Sequence, residues 1–92
     1  MSNVTVYVTQ YCGFCTSAKR WLTGMNIEFE SIDVTTDHAK RQWLVEKTGM
    51  RTVPQIFVGE HPVGGYQEMR AMDNRGEFRP LLEREGVSFS AP

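Results

Sequence analysis

Two cysteines three positions apart, Cys12-Gly13-Phe14-Cys15, follow closely on the alternating run Val4-Thr5-Val6-Tyr7-Val8, and this arrangement constrains the chain more than any other stretch. Apolar residues at every second position describe a strand with one face turned to a core. From Gly13 to Thr23 the period changes: Ala18, Trp21, Leu22 and Met25 fall near helical spacing, and Gly24 is a suitable C-terminal cap. The cysteines therefore sit where a strand turns into a helix. Side chains three apart on a helix have Cβ atoms about 5–6 Å apart, and a disulfide needs Cα atoms within about 4.4–6.8 Å. Dithiol and disulfide are thus separated by little backbone movement.

A four-residue ring constrains the unfolded chain far less than a long loop does, so the pair reads as a switch before it reads as a staple. With 92 residues, 40% hydrophobic, the chain suffices for one compact domain. A net charge of −1 gives no global attraction to nucleic acid or to an anionic membrane. No apolar run approaches the roughly 18 residues of a membrane span, and Met1-Ser2-Asn3 carries no basic leader. These features predict a cytoplasmic monomer whose partners include neither nucleic acid nor membrane. In a reducing compartment, paired cysteines are usually catalytic, redox-sensing or metal-binding. There is no second C-x-x-C, and His38 and His61 stand singly. A four-ligand zinc set is therefore incomplete, and no metal site is expected.

Further along, residues 27–34 read as a second strand whose alternation changes phase near Ser31. Thr36 or Asp37 caps a helix carrying Ala39, Trp43, Leu44 and Lys47, which Gly49 stops. Gln55-Ile56-Phe57-Val58 suits a buried strand, and a turn at residues 59–61 leads to an edge strand at Pro62-Val63-Gly64. Helix follows in two pieces, residues 66–74 and 77–84, with Phe78, Leu81 and Leu82 as the buried stripe. The order is β-α-β-α-β-β-α, an α/β arrangement. A right-handed crossover makes the first two strands parallel, and the short turn makes the last two antiparallel. The expected product is a four-stranded mixed sheet flanked by helices over residues 1–86, with a loose tail at 87–92.

A thiolate, not a thiol, attacks disulfides. At a helix start Cys12 gains the positive dipole end, worth about 0.3–1 kcal/mol, whereas one pKa unit corresponds to about 1.36 kcal/mol. Hydrogen bonds to the sulfur, including one from Cys15, must supply any larger effect. Cys12, at the outer end of the turn, is the expected nucleophile, and Cys15 is the resolving thiol.

Three further pieces join this motif: Thr52-Val53-Pro54, Gly64-Gly65, and the helix start Tyr66-Gln67-Glu68. Together with Cys12-Gly13-Phe14-Cys15 they resemble the dithiol glutaredoxins, over about residues 3 to 85. The resemblance implies a thioredoxin-like fold and a cis peptide before Pro54. It also implies glutathione as cosubstrate, with disulfide-bonded or glutathionylated proteins as partners. Thr52, Val53 and Pro54 then form the glutathione loop, with the Val53 backbone pairing with the ligand's cysteine. Gly65 permits close approach, and the N–H groups at Gln67 and Glu68 receive the γ-glutamyl carboxylate. Glu68 stands where the family usually has Asp beside the ligand's amino group; equally, it is a first-turn acid favouring the helix dipole. Arg41 matches a position that binds the glycine carboxylate, or is a solvated charge. Tyr11 and Phe14 flank the sulfurs as an apolar lip, and Phe14 equally suits the core.

Two positions depart from the family. Thr9 stands where a Lys is common, which predicts a weaker electrostatic contribution to both the thiolate and the glutathione carboxylate, with Arg41 and Arg51 as candidates to compensate. Gly13-Phe14 replaces the commoner Pro-Tyr and is the pair seen in single-cysteine, cluster-carrying relatives. The alternative reading is therefore a dimer bridging a [2Fe–2S] cluster, with Cys12 and glutathione as ligands. The Ser and the Trp-Pro motif of those relatives are absent.

Overall fold

Local chemistry delimits most elements of the computed structural model, which describes residues 3–90. They are β1 (Val4–Val8), α1 (Gly13–Gly24), β2 (Glu30–Asp33), α2 (His38–Thr48), β3 (Gln55–Val58), β4 (His61–Gly64), α3 (Tyr66–Asn74) and α4 (Phe78–Arg84). Asp37 caps α2 by accepting the Lys40 N–H at 2.9 Å, and Gly49 ends it in the left-handed region at φ 72°. The sheet runs β2-β1-β3-β4, with β1 parallel to β2 and β3 antiparallel to both β1 and β4. A four-stranded mixed sheet is thus flanked by helices, as the alternation and turn lengths predict.

The period-two pattern of β1 sorts its side chains between two cores. Val4, Val6 and Val8 join Cys15, Ala18, Leu22, Met69, Phe78 and Leu82 on the face covered by α1, α3 and α4. Tyr7 turns the other way, to Val34, Leu44 and Phe57 beneath α2. Each fully buried aliphatic or aromatic side chain contributes about 1.5–3 kcal/mol, so the larger cluster carries most of the stability. It also holds Cys15, which anchors the turn from Cys12 to Cys15 to the core. No helix among the described residues is long and apolar enough to cross a membrane.

Four boundaries differ from expectation. Gly24 lies inside α1; the C-cap is Met25, only 1% exposed, and the left-handed residue is Asn26 at φ 56°. Burial of the Met25 side chain fixes that end more strongly than glycine's freedom. The second strand covers only Glu30–Asp33, because Ile27 and Phe29 pack into the core before pairing with β1 begins. Glu77 is the N-cap of α4 rather than its first residue. The tail is not loose over its described length: Val87 and Phe89 pack against the larger core, and the Ser90 N–H donates to the Met25 carbonyl at 2.8 Å. Residues 91–92 lie outside the described residues.

Candidate active site around Cys12 and Cys15

The end of β1 delivers residues 9–12 to the N-terminus of α1. A short clasp fixes that loop: the Gln10 N–H donates to Thr35 Oγ1 at 2.9 Å. The Thr35 hydroxyl and N–H in turn donate to Asp33 Oδ1 at 2.6 and 2.8 Å, holding that carboxyl below its ordinary range. Tyr11 takes a left-handed φ of 59° with its side chain fully exposed. Cys12 returns to extended backbone as the N-cap of α1, and its Sγ accepts the Cys15 N–H at 3.2 Å. The expected hydrogen bond from Cys15 is therefore in place. Across the cleft the Cys12 thiol donates to the Val53 carbonyl at 3.8 Å.

The two thiols are free and differ in surroundings. Cys12 is half-buried; Cys15 is 2% exposed. Burial is the main cause that pushes Cys15 up from about 9.0 to about 11, and a hydrogen bond with Cys12 adds to it. The Thr9 backbone and the Lys19 charge pull the other way. A raised pKa keeps Cys15 protonated at neutral pH and retains it as a thiol until pH approaches about 11. Alkylation of the reduced protein at about pH 7 is therefore expected to label Cys12 first, because thiolate character and access govern reactivity. Cys15 should become reactive only at alkaline pH or on unfolding. Peptide mapping after a limiting pulse of iodoacetamide reads this directly, and predominant labelling of Cys15 would refute it.

The Val53–Pro54 peptide is cis, as the resemblance implies. A hollow of about 390 Å³, lined by Arg41, Arg51, Thr52 and Val53 among others, adjoins one of about 300 Å³ lined by Phe14, Thr52, Val53, Pro54, Gly65, Gln67 and Glu68. They share Met50, Thr52 and Val53 and form one groove from α2, past the Val53 backbone, to the start of α3. Eight candidate residues are gathered here: Phe14, Arg41, Thr52, Val53, Pro54, Gly65, Gln67 and Glu68. Thr9 and Tyr11 are not among them. They line a separate hollow of about 470 Å³ that also contains Cys12, Cys15, Lys19 and Asp33.

Glu68 Oε1 accepts the Gly65 N–H at 2.8 Å, so the carboxylate closes the first turn of α3. A Cβ at Gly65 would lie 2.7 Å from that oxygen, so a side chain there would displace the Glu68 carboxylate. Phe14 is not core: it is 54% exposed, and its ring stacks on Tyr66 at 6.3 Å between centroids. Arg70 donates to the Tyr66 hydroxyl at 2.9 Å and holds that ring.

Two contributors escape sequence reasoning. Gln55 is wholly buried, and its Nε2 donates to the Thr52 carbonyl at 2.8 Å, bracing the loop before Pro54. Nothing local distinguishes it from any other strand residue. Lys19 was legible in principle, since it lies four residues after Cys15 on one helix face. Among the described residues no group of three or more His, Cys, Asp or Glu is arranged to hold a metal ion.

Residues 4–63 match the family model described as Glutaredoxin. The chain is 35% identical over 83 residues to glutaredoxin 3 of Escherichia coli K12, covering 90% of this chain and all of that protein. Among solved structures, a buckwheat glutaredoxin–glutathione complex superposes with a TM-score of 0.84 at 26% identity, over 91% of this chain and 79% of that one. Glutaredoxin from Brucella melitensis gives 0.77 at 34% identity, over 89% of each chain. A half-buried thiol placed at a helix N-terminus, a buried partner thiol and this degree of likeness lead to one assignment. The chain belongs to the glutaredoxin family and is a thiol-disulfide oxidoreductase with the thioredoxin-like fold.

Proposed function

We propose that the protein is a glutathione-dependent oxidoreductase that reduces glutathione mixed disulfides and protein disulfides through Cys12, with Cys15 as resolving thiol. The observation that carries this reading is the meeting of the Cys12 sulfur with the Val53 carbonyl at 3.8 Å, beside the groove between Arg41 and the start of α3. The buckwheat relative, similar over most of the chain, is a complex with glutathione. In this reading the α3 N-terminus at Gln67 and Glu68 receives the γ-glutamyl carboxylate. The Val53 backbone pairs with the central cysteine, and Arg41 meets the glycine carboxylate. Phe14 and Thr52 wall the groove, and Gly65 lets backbone approach. Tyr11 offers an apolar contact to the protein being reduced, and Thr9 lies outside the groove.

The Cys12 thiolate attacks the glutathione sulfur of a mixed disulfide. The substrate sulfur leaves with the electron pair and takes up a proton. A second glutathione thiolate then attacks the Cys12-bound glutathione, forming glutathione disulfide and returning Cys12. With a protein disulfide, Cys15 attacks the Cys12 sulfur instead. The test uses Cys15→Ser incubated with glutathione disulfide: mass spectrometry should find one glutathione on Cys12. Amide shifts in ¹H–¹⁵N spectra should cluster at residues 52–53 and 65–68. An adduct that leaves those amides unmoved would overturn the groove assignment.

Gly65→Ala is expected to place its methyl against Glu68 and the groove. Loss of that cap should cost about 1 kcal/mol, and the KM for glutathione should rise several-fold with little change in kcat. A thermal melt and glutathione-dependent kinetics check the two effects separately.

The cluster alternative needs Cys12 thiolates from two chains and two glutathiones. Cys12 offers one accessible sulfur for it, already bonded to the Cys15 N–H and the Val53 carbonyl. No observation favours it over the enzyme. Absorption spectra after anaerobic reconstitution with iron, sulfide and glutathione separate the two readings.

A further inference from the structure

We propose that Lys19 is a positioning residue for the dithiol route: its ammonium, in the same hollow as Cys15, supplies the charge that lets the buried thiol close the disulfide on Cys12. The inference rests on the reading of Cys15 as the resolving thiol. It places the two halves of the chemistry on opposite sides of Cys12. The glutathione groove runs along Thr52, Val53 and Gly65, whereas Cys15 and Lys19 line the other hollow, which shares no residue with that groove.

Cys15 and Lys19 stand four apart on α1 and so face the same way. Lys19 is half-buried and has no ion pair among the described residues, where Arg75–Glu77 and Arg79–Asp73 are the pairs formed. It therefore forms no close ion pair, although its charge reaches Asp33. Asp33 enters the same hollow from β2, with its oxygen engaged by Thr35, and offsets part of the Lys19 field. Gln10, Tyr11 and Thr16 also line the hollow; of the groups that act on the Cys15 thiol, the Cys12 sulfur, the Thr9 backbone and Lys19, Lys19 is the cation.

A neighbouring cation favours disulfide closure because the attacking group is the Cys15 thiolate. Once Cys12 is joined to a substrate, Cys15 must lose its proton to solvent and attack the Cys12 sulfur. The Cys12–substrate bond then breaks, and the substrate sulfur leaves with the electron pair and takes up a proton. The substrate disulfide is reduced by two electrons, and the Cys12–Cys15 pair is oxidised by two. A neighbouring cation raises the thiolate fraction about tenfold per pKa unit. Intrinsic nucleophilicity falls with a Brønsted slope of about 0.4–0.5, so the net gain is about threefold per unit.

The test is single-turnover release of a peptide thiol from its mixed disulfide with Cys12, followed by quenching and mass spectrometry across a pH series. Lys19→Met should slow release and Lys19→Glu should slow it further, by about threefold for each unit that the Cys15 pKa rises. In both variants the pH of half-maximal rate should move upward, and release should slow relative to glutathione mixed-disulfide turnover. Lys19→Arg should restore the wild-type rate and profile. Equal release in wild type, Lys19→Met and Lys19→Glu would overturn the proposal, as would Lys19→Arg being as slow as Lys19→Met. Wild-type release by Cys15→Ser would instead overturn the resolving role on which it rests.

Discussion

Cys12→Ser is expected to lose all disulfide reduction, with glutathione mixed disulfides and protein disulfides alike, while remaining fully folded. Cys12 is the half-buried sulfur of the pair and sits at the N-cap of α1, whereas Cys15 is enclosed in the core. A serine hydroxyl is a weak nucleophile unless a base activates it, and no histidine lines this hollow. Serine is, however, a preferred N-cap residue, so it should replace the sulfur as acceptor of the Cys15 N–H without loss of helix stability. The two readouts therefore diverge: turnover should fall to the uncatalysed level while the melting temperature is kept. Retained turnover would mean that Cys15 or another group starts the reaction.

Phe78→Ala is expected to produce the largest loss of stability. Phe78 opens α4, is wholly buried, and sets its ring 5.7 Å from that of Trp21 on α1. It packs in the cluster that holds Leu22, Met69, Leu81 and Leu82. Truncating such a ring costs about 3–5 kcal/mol, against a total of about 5–15 kcal/mol for an ordinary domain. At about 4–8 °C per kcal/mol the melting temperature should drop by more than 12 °C. Because Phe78 reaches α1 through Trp21, the reactive turn should loosen with it. Chemical denaturation with an unchanged m-value and a loss below about 1 kcal/mol would show that α4 does not close this core.

Much of this structure is legible where a local rule decides. Val4, Val6 and Val8 alternate, Asp37 and Gly49 bound α2, and Cys12 falls at a strand-to-helix junction; each follows from periodicity or capping alone. Long-range packing decides the rest. Gly24 has the freedom to end α1, yet burial of Met25 moves the cap past it. Ile27 and Phe29 have strand-like side chains, yet the core takes them before β2 begins. At the site, the motifs name most of the groove but not the division into two hollows. That division depends on where the loop through Tyr11 and the loop before Pro54 come to rest around Cys12. Thr9 and Tyr11 therefore fall outside the groove, and Lys19, one helical turn beyond Cys15, shares its hollow.

The most direct measurement of the central claim is glutathione-coupled reduction of two substrates, a glutathione mixed disulfide and a protein disulfide, by the wild type, Cys12→Ser and Cys15→Ser. Cys12 as nucleophile and Cys15 as resolving thiol require wild-type activity on both substrates and none from Cys12→Ser. They also require Cys15→Ser to keep the mixed-disulfide reaction and lose most of the protein-disulfide reaction. Equal loss in both variants on both substrates, or wild-type turnover without glutathione, would contradict the account.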